Sequence, residues 1–232
     1  MVRWNSCACL MVAAALAAGV TRADPVPATK QWTNCQGGEG IWPEMRISGC
    51  NEVIKSGKAT GSDLAKAYYL RGNAYLARSE YMKAIDDYDR ALEIQKDEAN
   101  ALSERCWALA VLGIELDSAL SDCNEALRLK AGDSETLGAR GFTYMRLGLY
   151  RTAVLDYDAA LKVKADNALH LYARGMAKIR AGEQEAGEAD LAAARAADPK
   201  AEAAFERVDQ ANQTGFWASV ASYWRAAMKW VY

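Results

Sequence analysis

The sequence predicts an all-α fold, a solenoid of antiparallel helix pairs. A motif of Arg followed by Gly or Cys occurs four times, and successive Arg residues are 34, 35 and 34 positions apart. Sixteen or seventeen residues after each Arg comes an Asp, which stands four residues before an Ala. The motifs begin at Arg71, Arg105, Arg140 and Arg174, and their Asp residues are Asp87, Asp122, Asp156 and Asp190. Such a period is typical of a helical hairpin stacked on copies of itself.

Residues 1–23 have the form of a signal peptide, with cleavage predicted after Ala23. Arg3 precedes an apolar run from Cys7 to Val20, and Thr21-Arg22-Ala23 supplies a small residue at the cleavage site. The run is shorter than the roughly 20 residues of a membrane span. We therefore expect a periplasmic or secreted protein. The alternative is a cytoplasmic protein that begins with an apolar helix.

The mature chain would contain 209 residues with 26 basic and 30 acidic side chains, because Arg3 and Arg22 leave with the leader. Its net charge near −4 does not point to nucleic acid as a partner. Four cysteines remain, namely Cys35, Cys50, Cys106 and Cys123. An even number in an exported chain favours disulfides, although four cysteines allow three pairings.

Residues 24–61 are predicted to form an N-terminal arm and the helix of a degenerate repeat. The stretch Asp24 to Trp42 shows no apolar period, so we expect it to be irregular. Pro43 to Ser56 is predicted to be helical, because Pro suits a first helical turn and Gly57 follows the end. Its apolar residues share one face.

Residues 62–201 hold four repeats, each with two helical blocks separated by a short turn. Their bounds are 65–98, 99–133, 134–167 and 168–201, and the second has one extra residue near Asp117-Ser118. Gly113, Gly148 and Gly182 supply the turn in repeats two to four. Repeat one has no Gly there and must turn at residues 78–80.

Two further helices are predicted after the repeats. Residues 202–212, with Phe205 and Val208 three positions apart, would cap the open end of the solenoid. Residues 213–232 would form an amphipathic helix. Its apolar face includes Trp217, Val220, Trp224, Met228 and Val231. This helix could pack on the solenoid, contact a partner or a second copy, or lie at a membrane surface.

The repeats resemble the tetratricopeptide repeat family. Its pattern has a small residue at position eight, aromatics near positions eleven and twenty-four, and Ala at twenty and twenty-seven. Repeats one and three match with Gly72, Tyr75, Ala84, Tyr88 and Ala91, and with Gly141, Tyr144, Ala153, Tyr157 and Ala160. Repeat two departs at Cys106 and Cys123, and repeat four at Lys178, Gly187 and Leu191. The resemblance implies a right-handed superhelical solenoid. The whole arrangement also resembles small exported members of the family in Gram-negative bacteria.

The repeat positions suggest how the cysteines pair. Positions eight and twenty-four lie on facing sides of a hairpin, so Cys106–Cys123 would join the two helices of repeat two. Cys35–Cys50 would then tie the N-terminal arm to the first predicted helix, closing a loop of about 15 residues. The alternative is that the cysteines are buried free thiols.

The recurring Arg and Asp are interpreted as structural. A residue pair that occurs in every unit is best explained by something that every unit must do, which here is stacking. We expect partly buried Arg–Asp ion pairs, within a repeat or between neighbours, that help to set register.

The resemblance also implies a concave surface that binds a peptide. Carried over by position, that surface contains Tyr69, Asn73, Trp107, Phe142, Met145, Arg146, Tyr172 and Met176. Rigid aromatics with a scattered Arg suit a protein partner. Alternatively, some of them pack against the arm or the C-terminal tail. Tyr69 stands where relatives that clamp chaperone C-termini have Lys, so that ligand is not expected.

No catalytic, cofactor or metal site is predicted, so we expect no enzymatic activity. The one histidine, His170, has no evident triad partner, and no phosphate-binding loop or metal-ligand spacing occurs. The carboxylates are interpreted as solvated surface. The expected function is an exported scaffold that binds a polypeptide in its groove. The alternative is a peripheral membrane or envelope-assembly protein that acts through residues 213–232.

Overall fold

A computed structural model describes residues 29–211, and every regular element in that range is an α-helix. The helices are α1 (Lys30–Gln36), α2 (Pro43–Lys55), α3 (Gly61–Ala77), α4 (Tyr81–Ile94), α5 (Ala99–Leu112), α6 (Leu116–Leu129), α7 (Ser134–Arg146), α8 (Tyr150–Val163), α9 (Ala168–Arg180), α10 (Gln184–Ala197) and α11 (201–211). The predicted leader and the predicted amphipathic helix lie outside the described residues. Helices α3 to α10 form four successive hairpins, which confirms the predicted all-α solenoid.

Backbone conformation at the turns explains why each hairpin closes where it does. Gly113, Gly148 and Gly182 have φ angles of 65°, 75° and 92°, in the left-handed region that favours glycine. Repeat one turns at Ser79, which takes a φ of 58° without being glycine. The turn positions predicted from the sequence are confirmed.

The extra residue of repeat two lies in its turn and not in the second helix. Glu115 has a φ of 46° and immediately precedes α6, which begins at Leu116. The sequence suggested an insertion near Asp117-Ser118, so the structure moves it about two residues toward the N-terminus. The physical reason is that a turn absorbs an added residue without breaking the hydrogen-bond ladder of either helix.

Inside each hairpin, a small residue of the first helix faces a larger one of the second. A Cβ placed on Gly72 would lie 2.6 Å from Cε1 of Tyr88, and one on Gly141 would lie 3.1 Å from Cζ of Tyr157. Tyr88 is fully buried. The glycine is therefore what lets the tyrosine ring fill the space between two closely packed helices.

A disulfide occupies the same place in repeat two. Cys106 and Cys123 are bonded, with Cα atoms 5.6 Å apart, and both are fully buried. A covalent bond thus replaces the glycine–tyrosine contact of repeats one and three.

The N-terminal stretch is a helical hairpin, which corrects the expectation that Asp24 to Trp42 is irregular. Within the described part of that stretch, α1 packs on α2, and the predicted Cys35–Cys50 disulfide joins them. Thr29 caps α1, accepting a hydrogen bond from the Trp32 backbone N–H at 3.3 Å. A seven-residue helix is too short to show a period in the sequence, so its stability comes from the disulfide and packing.

The repeated Arg residues link each hairpin internally and to the preceding hairpin. Arg140 donates from Nε and Nη2 to the two carboxylate oxygens of Asp156, at 2.8 and 2.7 Å. Its Nη1 donates to Oδ1 of Asn124 on α6, at 2.8 Å. The same fork recurs in the other repeats, with Arg71 on Asp87 and Asn51, Arg105 on Asp122 and Asp89, and Arg174 on Asp190 and Asp158.

This geometry confirms the predicted Arg–Asp ion pairs and adds a bond that the sequence did not reveal. Two of the three donors hold the helices of one hairpin together, while the third fixes the distance to the neighbouring hairpin. The forks therefore set the stacking register along the solenoid.

The solenoid curves so that the first helices of the hairpins form its inner side. Consecutive first helices touch one another, most extensively α5 and α7, whereas no pair of second helices in the described range makes comparable contact. Among the described residues, no helix is both long and apolar enough to cross a lipid bilayer.

Candidate functional site

We call the inner surface formed by α3, α5, α7 and α9 the concave face. The side chains predicted to bind a partner lie on these four helices, because the period of 34 or 35 residues places equivalent positions at the same level of successive hairpins. The structure tests how exposed each side chain is. Its part in binding stays a prediction.

In repeat one, two of these side chains support the core. The Tyr88 hydroxyl donates to Oδ1 of Asn73 at 2.8 Å, and the Tyr69 ring lies 6.2 Å from that of Tyr88. Burial raises the pKa of Tyr69 above its usual value. Tyr69 and Asn73 are half-buried and form the N-terminal part of the concave face.

In repeats three and four, α11 covers part of the concave face. The Phe205 ring meets Phe142 edge-on at 6.0 Å and lies 5.2 Å from Tyr172. Phe142, Met145 and Tyr172 are almost fully buried. The structure thus corrects the exposure expected of these three residues, which in the described part of the chain pack against α11, the helix predicted to cap the solenoid, and not against the arm or the tail. The reason is that α11 brings its own aromatic ring to the apolar surface.

Arg146 joins three helices at the same place. Its Nε and Nη2 donate to the backbone oxygens of Ala110 and Val111 in α5, at 3.1 and 3.2 Å, and its Nη1 pairs with Asp209 of α11 at 3.0 Å. Burial lowers the pKa of its guanidinium. Met176 is partly buried against the same core. Arg146 therefore braces α11 on the concave face.

Trp107 borders a cavity of about 220 Å³ between the concave face and α11. Its indole lies 5.1 Å from the Phe142 ring and is half-buried. Leu169 and Val208 complete the apolar part of the wall. The mouth is open, since Leu169 is 47% exposed. Of the predicted aromatic set, Trp107 stands at this opening, and Tyr69 borders a separate cleft in repeat one.

The polar wall of the cavity is acidic. Glu104 lies one helical turn before Trp107, and burial, with Glu135 and Asp133 nearby, raises the pKa of its carboxyl group. Within the described residues Glu104 makes no ion pair, whereas Glu135 accepts from Nζ of Lys164 at 2.6 Å. This corrects the interpretation of all helix carboxylates as solvated surface: Glu104 is largely buried beside aromatic rings.

His170 also lines the cavity and is buried, with 8% of its surface exposed. Its Nδ1 has no hydrogen-bond partner in the described structure. The imidazole fits because Gly138 has no side chain, as a Cβ there would collide with Nε2. Burial lowers the pKa of His170, so the imidazole is neutral at pH 7. Among the described residues, no cluster of His, Cys, Asp or Glu is arranged to hold a metal.

Comparison with known proteins supports the repeat assignment. Residues 65–98, which are repeat one, match the family model of the tetratricopeptide repeat.

Repeat one of this chain is a tetratricopeptide repeat.

Solved structures share the tetratricopeptide fold at low sequence identity. MamA from Desulfovibrio magneticus is 13% identical, with a TM-score of 0.58 over 68% of this chain and 86% of that one. Another MamA structure is 16% identical, with a TM-score of 0.56 over 68% and 90%. YrrB, described as a TPR protein with an unusual peptide-binding site, is 21% identical, with a TM-score of 0.53 over 71% and 84%. No curated protein sequence matches significantly.

Glu104 and His170 line the cavity beside Trp107, and sequence reasoning left both out of the site. Glu104 is at position six of repeat two and His170 at position three of repeat four, neither of which is among the concave positions of the family. A single carboxylate in a helical sequence does not show by itself whether it is buried or solvated. The one available hint was the spacing of three residues between Glu104 and Trp107, which places them on one helix face.

Proposed function

We propose that this chain is an exported scaffold that binds a polypeptide partner along its concave face. The observation that carries the proposal is the open cavity beside Trp107, where a half-buried indole and apolar side chains remain accessible between repeats two and three. Partly buried aromatics at an open cleft are typical anchors for protein ligands. YrrB, with the same fold, is described as having a peptide-binding site, which agrees with this use of the repeats.

Export is a second part of the proposal, supported by two independent features. The first 23 residues have the form of a cleavable leader. The chain also has two buried disulfides, Cys35–Cys50 and Cys106–Cys123, and disulfides persist in oxidising compartments such as the periplasm. N-terminal sequencing of the protein from the envelope fraction tests this. We expect the mature chain to start at Asp24, and an unprocessed chain in the cytoplasm would contradict export.

Site-specific photocrosslinking tests the groove. The photoreactive residue p-benzoylphenylalanine would replace Trp107 in one variant and Leu155 in another, because Leu155 is 68% exposed on α8, a second helix. We expect irradiated cells to give discrete polypeptide adducts at position 107 that are absent at position 155. Position 142 is unsuitable, since Phe142 is in the core. Equal adduct patterns at both positions, or none at 107, would contradict binding on the concave face.

The alternative, a peripheral membrane or envelope-assembly role for residues 213–232, makes a different prediction. Deleting Thr214 to Tyr232 would leave the Trp107 adducts unchanged if the concave face binds the partner. If the C-terminal segment is the working part, the deletion would instead abolish association with the envelope.

A further inference from the structure

The cavity beside Trp107 is large enough to receive a side chain of a ligand. Its volume of about 220 Å³ is far above the roughly 10–15 Å³ that holds a single water molecule. Trp107 and Leu169 provide apolar surface in its wall. A ligand that fills it must therefore present an apolar portion.

The charges around the cavity determine which charge the other end of that ligand can carry. No Lys or Arg lines it in the described part of the chain, and His170 is neutral. Glu135 at the rim is already paired with Lys164. Glu104 is the remaining carboxylate, largely buried and without an ionic partner in the described structure. The Glu104 carboxylate would repel an anionic ligand. An uncharged ligand would bury this carboxylate further without supplying a positive charge to offset the cost of its desolvation.

Lys and Arg side chains combine an apolar stem with a cationic head. We propose that this cavity is a subsite for a Lys or Arg side chain of the bound polypeptide, an inference that rests on the proposed function. The stem packs on Trp107 and Leu169. The cation reaches Glu104, and the indole one turn away adds an attraction between the cation and the ring face.

Three blocked pentapeptides test the subsite: acetyl-Gly-Leu-Lys-Leu-Gly-amide and the versions with Gln or Glu in place of Lys. The readout is the indole N–H resonance of Trp107 in NMR titrations of the mature full chain, assigned with a Trp107→Phe variant. We expect the Lys peptide to bind at least about tenfold more tightly than the Gln peptide, and the Glu peptide to bind most weakly. Equal affinities, or no shift with any peptide, would overturn the subsite.

Two variants test whether Glu104 is responsible for the preference for the Lys peptide over the Gln peptide. Glu104→Gln should reduce the preference for Lys over Gln to within about twofold, because the shape is kept and the charge is removed. Glu185→Gln removes an exposed carboxylate on α10, far from the cavity, and should keep the preference. Retention of the full preference in Glu104→Gln would also overturn the proposal.

The chain's own Arg225 and Lys229 are the competing source of a cation. If Arg225→Gln with Lys229→Gln moves the Trp107 resonance in the absence of peptide, the occupant is the C-terminal segment and not a partner. The photocrosslinking separates this inference from the proposed function. Adducts at position 107 without preference for Lys would leave the scaffold role standing and remove the cationic subsite.

Discussion

Each of the four recurring Arg residues serves two interfaces at once. Arg140, for example, holds Asp156 with two hydrogen bonds inside its hairpin and Asn124 of the preceding hairpin with a third. Both charges are mostly buried, with 23% and 10% of their side chains exposed. Removing one partner would leave the other charge poorly compensated. The loss of stability on removing one partner should therefore exceed the net stabilisation that the intact pair provides.

Asp156→Ala should therefore lower the free energy of unfolding by roughly 2–4 kcal/mol, measured by urea denaturation. The matched control is Glu93→Ala, which breaks an exposed Arg90–Glu93 pair of 3.0 Å. That variant should leave the free energy of unfolding nearly unchanged. Similar values for the two variants would contradict a structural role for the repeated forks.

Removing the charge of Glu104, in contrast to that of Asp156, is expected to stabilise the protein at pH 7. Burial raises the pKa of Glu104 in the folded state above its unfolded value. The folded protein thus binds this proton more readily, and the resulting stability is present below the unfolded pKa and lost as pH rises through the folded pKa. At pH 7 the folded protein carries the cost of a buried carboxylate.

Glu104→Gln should accordingly raise the Tm at pH 7. The gain should shrink toward pH 4, where Glu104 is protonated. Thermal melts of the two proteins across this pH range provide the measurement. A variant that is less stable than wild type at pH 7 would show that Glu104 is already paired.

At the scale of helices, the hairpins reach the same packing in two chemically different ways. Repeats one and three place glycine against tyrosine, as with Gly141 and Tyr157. Repeat two and the N-terminal hairpin use disulfides, Cys106–Cys123 and Cys35–Cys50, in the corresponding place. A bond between the helices thus substitutes for an aromatic ring that fills the gap.

Replacing Cys106 and Cys123 by Ala should cost about 3 kcal/mol, since the disulfide closes a loop with a sequence separation of 17 and Ala leaves a void. Replacing them by Gly and Tyr, respectively, copies repeats one and three and should recover part of the loss. Urea denaturation without reductant compares the three proteins. If the Gly/Tyr protein is no more stable than the Ala/Ala protein, the glycine–tyrosine contact cannot substitute for the disulfide in this hairpin.

The position of α11 depends on one aromatic anchor. Phe205 is 9% exposed and contacts Phe142 and Tyr172. Phe205→Ala should cost about 3 kcal/mol, near the lower limit for a buried Phe. Glu206→Ala is the adjacent control, because Glu206 is exposed, and it should be nearly neutral. Unchanged thermal stability in Phe205→Ala would mean that α11 is not packed as described.

At the scale of the whole molecule, the solenoid is a linear array in which each hairpin is stabilised by its neighbours. Hairpins α5–α6 and α7–α8 have neighbours on both sides, and α5 contacts α7 directly. The N-terminal hairpin α1–α2 has a described neighbour on one side. Stability should therefore decrease from the middle toward the ends.

Amide hydrogen exchange measures this gradient. We expect amides in α5 to α8 to exchange at least about tenfold more slowly than those in α1 and α11. Uniform protection across residues 29–211 would indicate that the array opens as a single cooperative unit.

The local features of this fold could be predicted from the sequence because they repeat. Arg71 with Asp87, the turn at Gly148 and the facing pair Cys106 and Cys123 each follow from spacing within one hairpin, where helix geometry leaves few alternatives. The short α1 escaped prediction for the same reason, since seven residues contain too little period to recognise.

What the sequence could not show depends on residues far apart in the chain. Arg146 meets Asp209 across 63 positions, and only this docking of α11 decides that Phe142 and Tyr172 are buried while Trp107 faces a cavity. In the sequence Glu104 cannot be distinguished from a surface carboxylate, because its desolvation results from packing against neighbouring helices. Repetition encodes how hairpins form and stack, because those contacts are local and identical. The candidate site arises where the units differ and the chain folds back on itself, so it exists only in the tertiary structure.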